Sequence, residues 1–338
     1  MKMMLFGLGG SEQFAQEVAD KLDVPLSKHM ERRFDDGEIY VRSEENVRGC
    51  DVFVISSLYT DEILSAGEKL TTLLFFIGSL KDASAARVSV ITPYFSFSRQ
   101  DRKLESRAPI TTKYVAKHIE HAGADRLLTL DIHNLSAFQN SFRIPVDNLE
   151  AKLLFIDYLT GINKSGCSVP GFLVKMPSPK DIVFLSPDSG GMSRTRFMRA
   201  ALEKRLKAPN EIDIAYFDKE RLDGSTVRGN KIIGDVNGKQ VIIIDDMIAS
   251  GSTIRITVDA TIKSGGKIHA ICASHGLFTG KANDYLEGLP IIVTDTIRSW
   301  RIINPKINVK QISTTGIFAQ AIRRTHEDGG SISQLLED

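Results

Sequence analysis

The chain has 338 residues, 42% of them apolar and 25% charged, which is the composition of an ordinary globular protein and more than one small core requires, so two domains are expected. Its 43 Lys and Arg and 42 Asp and Glu leave a net charge of +1, which argues against a general nucleic-acid binder, since such proteins present a basic face. Cys50, Cys167 and Cys272 lie far apart with no C-x-x-C spacing, which points to a reducing, cytoplasmic setting without structural zinc.

In chain order, "MKMMLFGLGG" is too short an apolar run for a signal peptide, and "SEQFAQEVADKL" follows at once; strand, turn and amphipathic helix fit better. No apolar run approaches the length of a membrane span. "RRFDDGEIYVR" (32–42) sets Phe34 among acids in a turn. An aromatic beside carboxylates can stack on a purine and accept its amino protons; a plain hairpin turn fits the same residues. "DVFVISS" (51–57) reads as a buried strand, 62–84 as a helix and "RVSVITPYF" (87–95) as the next strand. "PYFSFSRQDRK" (93–103) follows with Arg99, Arg102 and Lys103 around Asp101, a set suited to polyphosphate or, alternatively, a solvated salt-bridge loop. "TTKYVAKHIEHAG" reads as a helix stopped at Gly123, and 126–133 as a strand ending in Asp131 and His133. Strand and helix alternate throughout, which predicts a parallel α/β sheet.

The second half repeats the rhythm after a join near 146–152 and a surface insertion at 161–180. "DIVFLSPDSGG" (181–191) is a strand with Asp188 in its terminal turn, "RTRFMRAALEKRL" a basic helix and "IDIAYFDKE" a strand. Lys219 and Arg221 in "FDKERLDG" open a polar, Gly-containing loop that can close over a transferring group or be a charged surface loop. Strand "KQVIIIDDM", helix "STIRITVDATIKSGG" and strand "KIHAICASHGLF" follow, and "SISQLLED" closes as a short helix.

"VIIIDDMIASGST" carries the most chemistry. In open parallel sheets ligands bind beyond the C-terminal strand ends, and Asp245 and Asp246 stand at such an end. Ser250, Gly251, Ser252 and Thr253 can wrap N–H groups and hydroxyls around a monoester phosphate at the start of the next helix. Carboxylates repel phosphate, so the acids suit the vicinal hydroxyls of a ribose. Together the two features describe a ribose 5-phosphate. An exposed strand-to-helix turn is the competing reading. No G-x-x-x-x-G-K-[ST] is present, and "GLGGSE" lacks the third glycine of G-x-G-x-x-G. His133 and Asp188, each after a strand, can hold a Mg²⁺ that also takes phosphate oxygens, although a lone His is commonly a packing residue.

In order, "RFDDGE", "EENVRG", "PYFSFSRQDRK", "APITTK", "DIHNLSAFQNSFRIPVDNL", "SPDSGG", "DKERL" and "VIIIDDMIASGST" resemble the ribose-phosphate pyrophosphokinase (phosphoribosyl pyrophosphate synthetase) family over nearly the whole chain. The resemblance implies two tandem phosphoribosyltransferase-like domains, 1–147 and 148–338, each a mainly parallel sheet flanked by helices, with the last segment able to pack on the first domain. It implies Mg²⁺-dependent transfer of the β,γ-diphosphoryl group of ATP to the anomeric hydroxyl of ribose 5-phosphate. Carried over residue by residue, Phe34, Asp36 and Glu38 match an adenine-contacting loop that reaches in from a neighbouring subunit of a homo-oligomer. Arg99, Gln100, Asp101 and Arg102 match the ATP segment, with Arg99 also in the catalytic set. His133 and Asp188 match the metal positions, Lys219 and Arg221 the catalytic loop, and Asp245, Asp246 and Ser250–Thr253 the ribose-5-phosphate loop. Ala249 and Ser252 depart from the family loop D-D-M-I-D-T-G-G-T, and "LDGSTV" departs from the usual continuation after Arg221. A phosphoribosyltransferase would share only the loop at 245–253; a non-catalytic regulatory homologue would be expected to lose Arg99, His133, Lys219 and Arg221, and all four are present. A ligand-responsive repressor would need a basic DNA-binding region.

Overall fold

The structure is a computed structural model and describes residues 1–162, 176–221, 227–327 and 330–336. The chain divides into two compact units, Met1–Glu150 with Thr315–Glu337, and Ala151–Thr314.

The first unit runs β1 (Met3–Gly7), α1 (Glu12–Leu22), the hairpin β2 (His29–Arg33) and β3 (Ile39–Ser43), β4 (Asp51–Ile55), α2 (Ala66–Asp82), β5 (Arg87–Thr92), α3 (Thr111–His121), β6 (Arg126–Leu130), α4 (Leu135–Ser141) and β7 (Val146–Leu149). Strands β1, β4, β5, β6 and β7 form one parallel sheet in that order. β4 is buried throughout and β5 from Val88 on, which is why both are rich in β-branched residues and why β5 buries even Ser89 and Thr92. The expected helix 62–84 starts later, at Ala66. Ser65 Oγ accepts the Glu68 N–H (3.2 Å) and the Glu68 carboxylate accepts the Ser65 N–H (2.7 Å), a capping box that fixes the first turn. Before it, Asp61 Oδ1 accepts the Ile63 and Leu64 N–H groups (2.8 and 2.7 Å) and holds a turn. β7 lies inside the stretch read as a join, because its backbone completes the β6 ladder.

The second unit runs α5 (Lys152–Thr160), a 3-10 turn (Pro179–Asp181), β8 (Ile182–Ser186), α6 (Met192–Leu206), β9 (Asp213–Arg221), β10 (Val227–Ile233), β11 (Gln240–Ile248), α7 (Ser252–Lys263), β12 (Lys267–Gly276), α8 (Ala282–Tyr285), β13 (Pro290–Thr294) and β14 (Asn308–Ile312). Its sheet has the order β10-β9-β8-β11-β12-β13-β14, parallel except for the antiparallel β9–β10 pair. Most of the 161–180 stretch, residues 163–175, lies outside the described residues.

The chain then rejoins the first unit. Helix α9 (Thr315–His326) packs on α1, with the Phe14 and Phe318 rings edge to face at 5.7 Å. His326 Nδ1 and Arg87 Nε both lie 2.7 Å from the buried Asp51 carboxylate at the start of β4. The closing helix expected at the tail is a 3-10 turn, Ile332–Leu336.

The two units share one course. Each has a first strand (β1, β8), then an antiparallel pair (β2–β3, β9–β10), then four parallel strands (β4–β7, β11–β14). The antiparallel pair starts beside the first strand both times: Leu26 bridges Leu5 just before β2, and β9 pairs with β8.

Candidate functional site

Asp245 and Asp246 lie on β11 just past the point where it loses one neighbour. β8 pairs with β11 only as far as Leu185 opposite Ile243, whereas β12 stays paired with it to Ile248. The sheet therefore opens on the β8 side at the two acids. Beyond β8 the chain turns sharply. Ser186 Oγ donates to the Asp188 carbonyl (2.6 Å), and the Gly191 N–H donates to Asp188 Oδ1 (3.0 Å), so Asp188 shapes its own turn before α6 begins. Arg194, in the first turn of α6, brings a guanidinium to 3.6 Å from Asp246 and 3.9 Å from Asp245. The Asp246 N–H donates to Asp245 Oδ1 at 2.9 Å. Burial, the Asp246 charge and the hydrogen bond shared with Asp246 push the Asp245 carboxyl well above the usual carboxylate range; Arg194 opposes this and Asp188 adds to it.

The loop after β11 ends in Gly251, which has φ +78° and precedes the first turn of α7. A glycine offers no capping side chain, and among the described residues no side-chain cap closes the start of α7. Ser250 Oγ and Ser252 Oγ lie 3.0 Å apart on either side of it. Uncapped N–H groups at a helix start, flanked by hydroxyls, can receive an anion. The acids, five and six residues before Gly251 on β11, can accept hydrogen bonds from hydroxyls.

Lys219 and Arg221 were expected to open a loop. Instead β9 continues through Arg221, because β10 pairs with it as far as Val227 opposite Arg221. The five residues between the strands, 222–226, lie outside the described residues.

In the first unit, the polyphosphate candidate follows β5. Phe97 (φ +65°) turns the chain, and Thr112 Oγ1 donates to the Phe97 and Gln100 carbonyls (2.9 and 3.2 Å), tying the segment to α3. Arg99, Gln100, Arg102 and Lys103 are exposed. Thr111 Oγ1 donates to Gln100 Oε1. Asp101 accepts from Asn134 Nδ2 at 2.5 Å, and Asn134 Oδ1 in turn caps α4 by accepting the Ala137 N–H (3.1 Å). Asn134 was missed in the sequence, although an Asn directly before "LSAF" is an N-cap signal. His133 stands exposed beside it, after Asp131 with φ +41° at the end of β6.

Phe34 and Glu38 close the β2–β3 tip: the Phe34 N–H donates to the Glu38 carbonyl and the Gly37 N–H to the Phe34 carbonyl, both at 2.9 Å. Asp36 Oδ1 accepts the Glu38 N–H at 3.1 Å. The Arg32 guanidinium lies 4.7 Å above the exposed Phe34 ring and Tyr40 stands edge-on at 6.5 Å, so the aromatic is held by neighbours two and six residues away.

His133 belongs to the first unit and Asp188 to the second. Among the described residues no group of three or more His, Cys, Asp or Glu forms a metal cluster. Asp188 fits a hard divalent cation, because its Oδ1 is turned to Gly191 and leaves Oδ2 as an oxygen donor. No helix in the described residues is long and apolar enough to cross a membrane.

Two family models match the chain: one described as the N-terminal domain of ribose phosphate pyrophosphokinase, over residues 3–123, and one described as a phosphoribosyl synthetase-associated domain, over residues 224–337. The ribose-phosphate pyrophosphokinase of Staphylococcus saprophyticus is 37% identical over 338 aligned residues, which span 99% of this chain and 97% of the relative. Ribose-phosphate pyrophosphokinase 1 of Listeria innocua is 37% identical over 344, spanning 99% and 98%. Among solved structures, phosphoribosylpyrophosphate synthetase from Mycobacterium smegmatis matches with a TM-score of 0.80 and 32% identity, covering 97% of this chain and 100% of that one.

Proposed function

The chain belongs to the ribose-phosphate pyrophosphokinase family, and on that premise we propose that it transfers the β,γ-diphosphoryl group of ATP to the anomeric hydroxyl of ribose 5-phosphate, giving phosphoribosyl pyrophosphate and AMP. The observation that carries this reading is the carboxylate pair on β11 followed, six residues after Asp246, by the uncapped start of α7.

Asp245 and Asp246 accept hydrogen bonds from the ribose hydroxyls, and Arg194 balances their charge. Ser250, Ser252, Thr253 and the first N–H groups of α7 hold the 5-phosphate. This grip leaves the anomeric oxygen free to act as nucleophile, so no side chain need form a covalent intermediate. Arg99, Gln100, Asp101 and Arg102 receive the triphosphate, and Phe34, Asp36 and Glu38 the adenine of ATP bound to a neighbouring subunit of a homo-oligomer. Lys219, Arg221 and Arg99 neutralise charge that builds on the transferring group. His133 and Asp188 would hold Mg²⁺, which supplies charge neutralisation to the phosphate oxygens when bound.

The test is product analysis. The purified chain, given ATP, Mg²⁺ and ribose 5-phosphate, should form AMP and phosphoribosyl pyrophosphate in equal amounts. ADP in place of AMP would mean single phosphoryl transfer. A folded, nucleotide-binding chain that forms neither would favour a non-catalytic regulatory role.

A further inference from the structure

The hairpin that carries Phe34, Asp36 and Glu38 forms a separate two-stranded sheet, β2 with β3. Two strands alone are marginal in water, so something else must fix the tip. The anchors lie on one face of β2, at alternate residues. His29 packs its ring against Phe6 and Phe76, with centroids at 6.2 and 5.8 Å. Arg33 pairs with Glu68 at the start of α2. Between them, Glu31 Oε1 accepts the Gly9 N–H at 3.0 Å and meets His29 Nε2 at 2.9 Å.

The seat of Glu31 is rigid. Gly9 and Gly10 have φ +58° and +81°, and a Cβ on them would meet Lys69 Cγ at 3.3 Å and Asp61 Oδ2 at 2.8 Å. The turn therefore lies directly on the Lys69–Asp61 ion pair, 2.6 Å long, whose lysine side chain is fully buried and stands 4.1 Å from the Tyr59 ring centroid. The charges of Glu12 and Glu31 both act on that ammonium. The β1–α1 turn is the topological counterpart of the β8–α6 turn. There the Gly191 N–H is taken by Asp188 of the same turn, whereas the Gly9 N–H is taken by a carboxylate from the hairpin.

We propose that Glu31 is a positioning residue: seated on the Gly9 N–H above the buried Lys69–Asp61 pair, it latches the β2–β3 hairpin to the β1–α1 turn and so fixes the Phe34–Glu38 tip for the nucleotide base. The role toward the base rests on the function proposed above; the latch does not. A hydrogen bond to a charged group shifts an opening equilibrium by about tenfold or more.

The experiment uses the full chain with Glu31→Ala and Glu31→Gln, hydrogen exchange read by mass spectrometry, and initial rates with both substrates. In Glu31→Ala, hairpin amides should exchange about tenfold faster or more, while amides of β4, β5 and β6 keep the wild-type rate. The KM for ATP should rise by a similar factor and the KM for ribose 5-phosphate should stay unchanged. Glu31→Gln keeps an acceptor for Gly9 and should fall between; it carries the test if the alanine variant does not fold. Added formate, a carboxylate small enough for the vacated position, should restore hairpin protection in Glu31→Ala. Equal hairpin exchange in wild type and Glu31→Ala overturns the latch, and so does faster exchange throughout the unit. A loosened hairpin with an unchanged KM for ATP overturns the positioning role. A wild-type chain that forms no AMP overturns the proposed function and leaves the exchange result to decide the latch.

Discussion

Gly251→Ala probes how tightly the turn before α7 is seated. At φ +78°, a Cβ would lie 2.8 Å from Leu286 Cδ2 and 2.9 Å from its Cγ. Leu286 is fully buried, so it has little room to give. The left-handed backbone costs a non-glycine residue about 1–2 kcal/mol, and displacing a packed core side chain costs about 1–3 kcal/mol. The sum, about 2–5 kcal/mol, should lower the transition of the second unit by about 5–15 °C for a unit of this size. Gly280→Ala is the control: it has φ +57° with nothing within 4 Å of the added Cβ, so only the backbone cost applies. Calorimetry on both variants separates the two contributions. Because Ser250 and Ser252 flank Gly251, the KM for ribose 5-phosphate should rise in Gly251→Ala and stay at the wild-type value in Gly280→Ala. Equal calorimetric shifts would refute the Leu286 argument. A destabilised Gly251→Ala with unchanged ribose-5-phosphate kinetics would remove this loop from the sugar-phosphate site.

Lys219→Ala should lower kcat by about a hundredfold or more with little change in either KM, since its charge is assigned to the transition state; a raised KM at unchanged kcat would place it in ground-state binding instead. Asp246→Ala should raise the KM for ribose 5-phosphate about tenfold or more and leave that for ATP alone, and untouched sugar kinetics would disprove the hydroxyl assignment. Asp245→Asn bears on pH. The folded Asp245 carboxyl is held well above the usual carboxylate range, so the native chain binds this proton more readily than the unfolded chain. The penalty for ionising it is present above the folded pKa and is relieved as pH falls through that value. Asp245→Asn should therefore be more stable than wild type at neutral pH, with an advantage that shrinks on acidification; urea titrations showing a constant difference across pH would contradict this.

Much of the fold was legible because buried parallel strands leave a plain trace. DVFVI is apolar after Asp51 without alternation, and in RVSVIT even Ser89 and Thr92 are buried, since both faces are covered; the helices between them keep their period. Boundaries were less legible where local hydrogen bonds outbid hydropathy. The apolar run from Ile63 suggested helix, but Asp61 and the Ser65–Glu68 box set the start at Ala66. Lys219 and Arg221 read as loop because their polarity signals exposure; pairing with β10 is a matter of partner and not of composition. The carboxylate pair and the hydroxyl loop were visible as adjacent letters. Arg194 was not, because its meeting with Asp245 and Asp246 is made by the turn of the chain between β8 and α6. Asn134, by contrast, could have been found from its capping position alone.

The first unit is discontinuous in sequence, since α9 is made only after the whole second unit. A ribosome releases the chain from its N-terminus, so the five-stranded sheet of the first unit emerges early without its last helix. Until then the α1 surface that receives Phe318 is bare, and Asp51 has Arg87 but lacks His326. The second unit, continuous from Ala151 to Thr314, can close its core first. Completion of the N-terminal unit is thereby made to wait for the C-terminus, and a nascent chain stalled before Thr315 should expose a sticky helix face that holdase chaperones recognise.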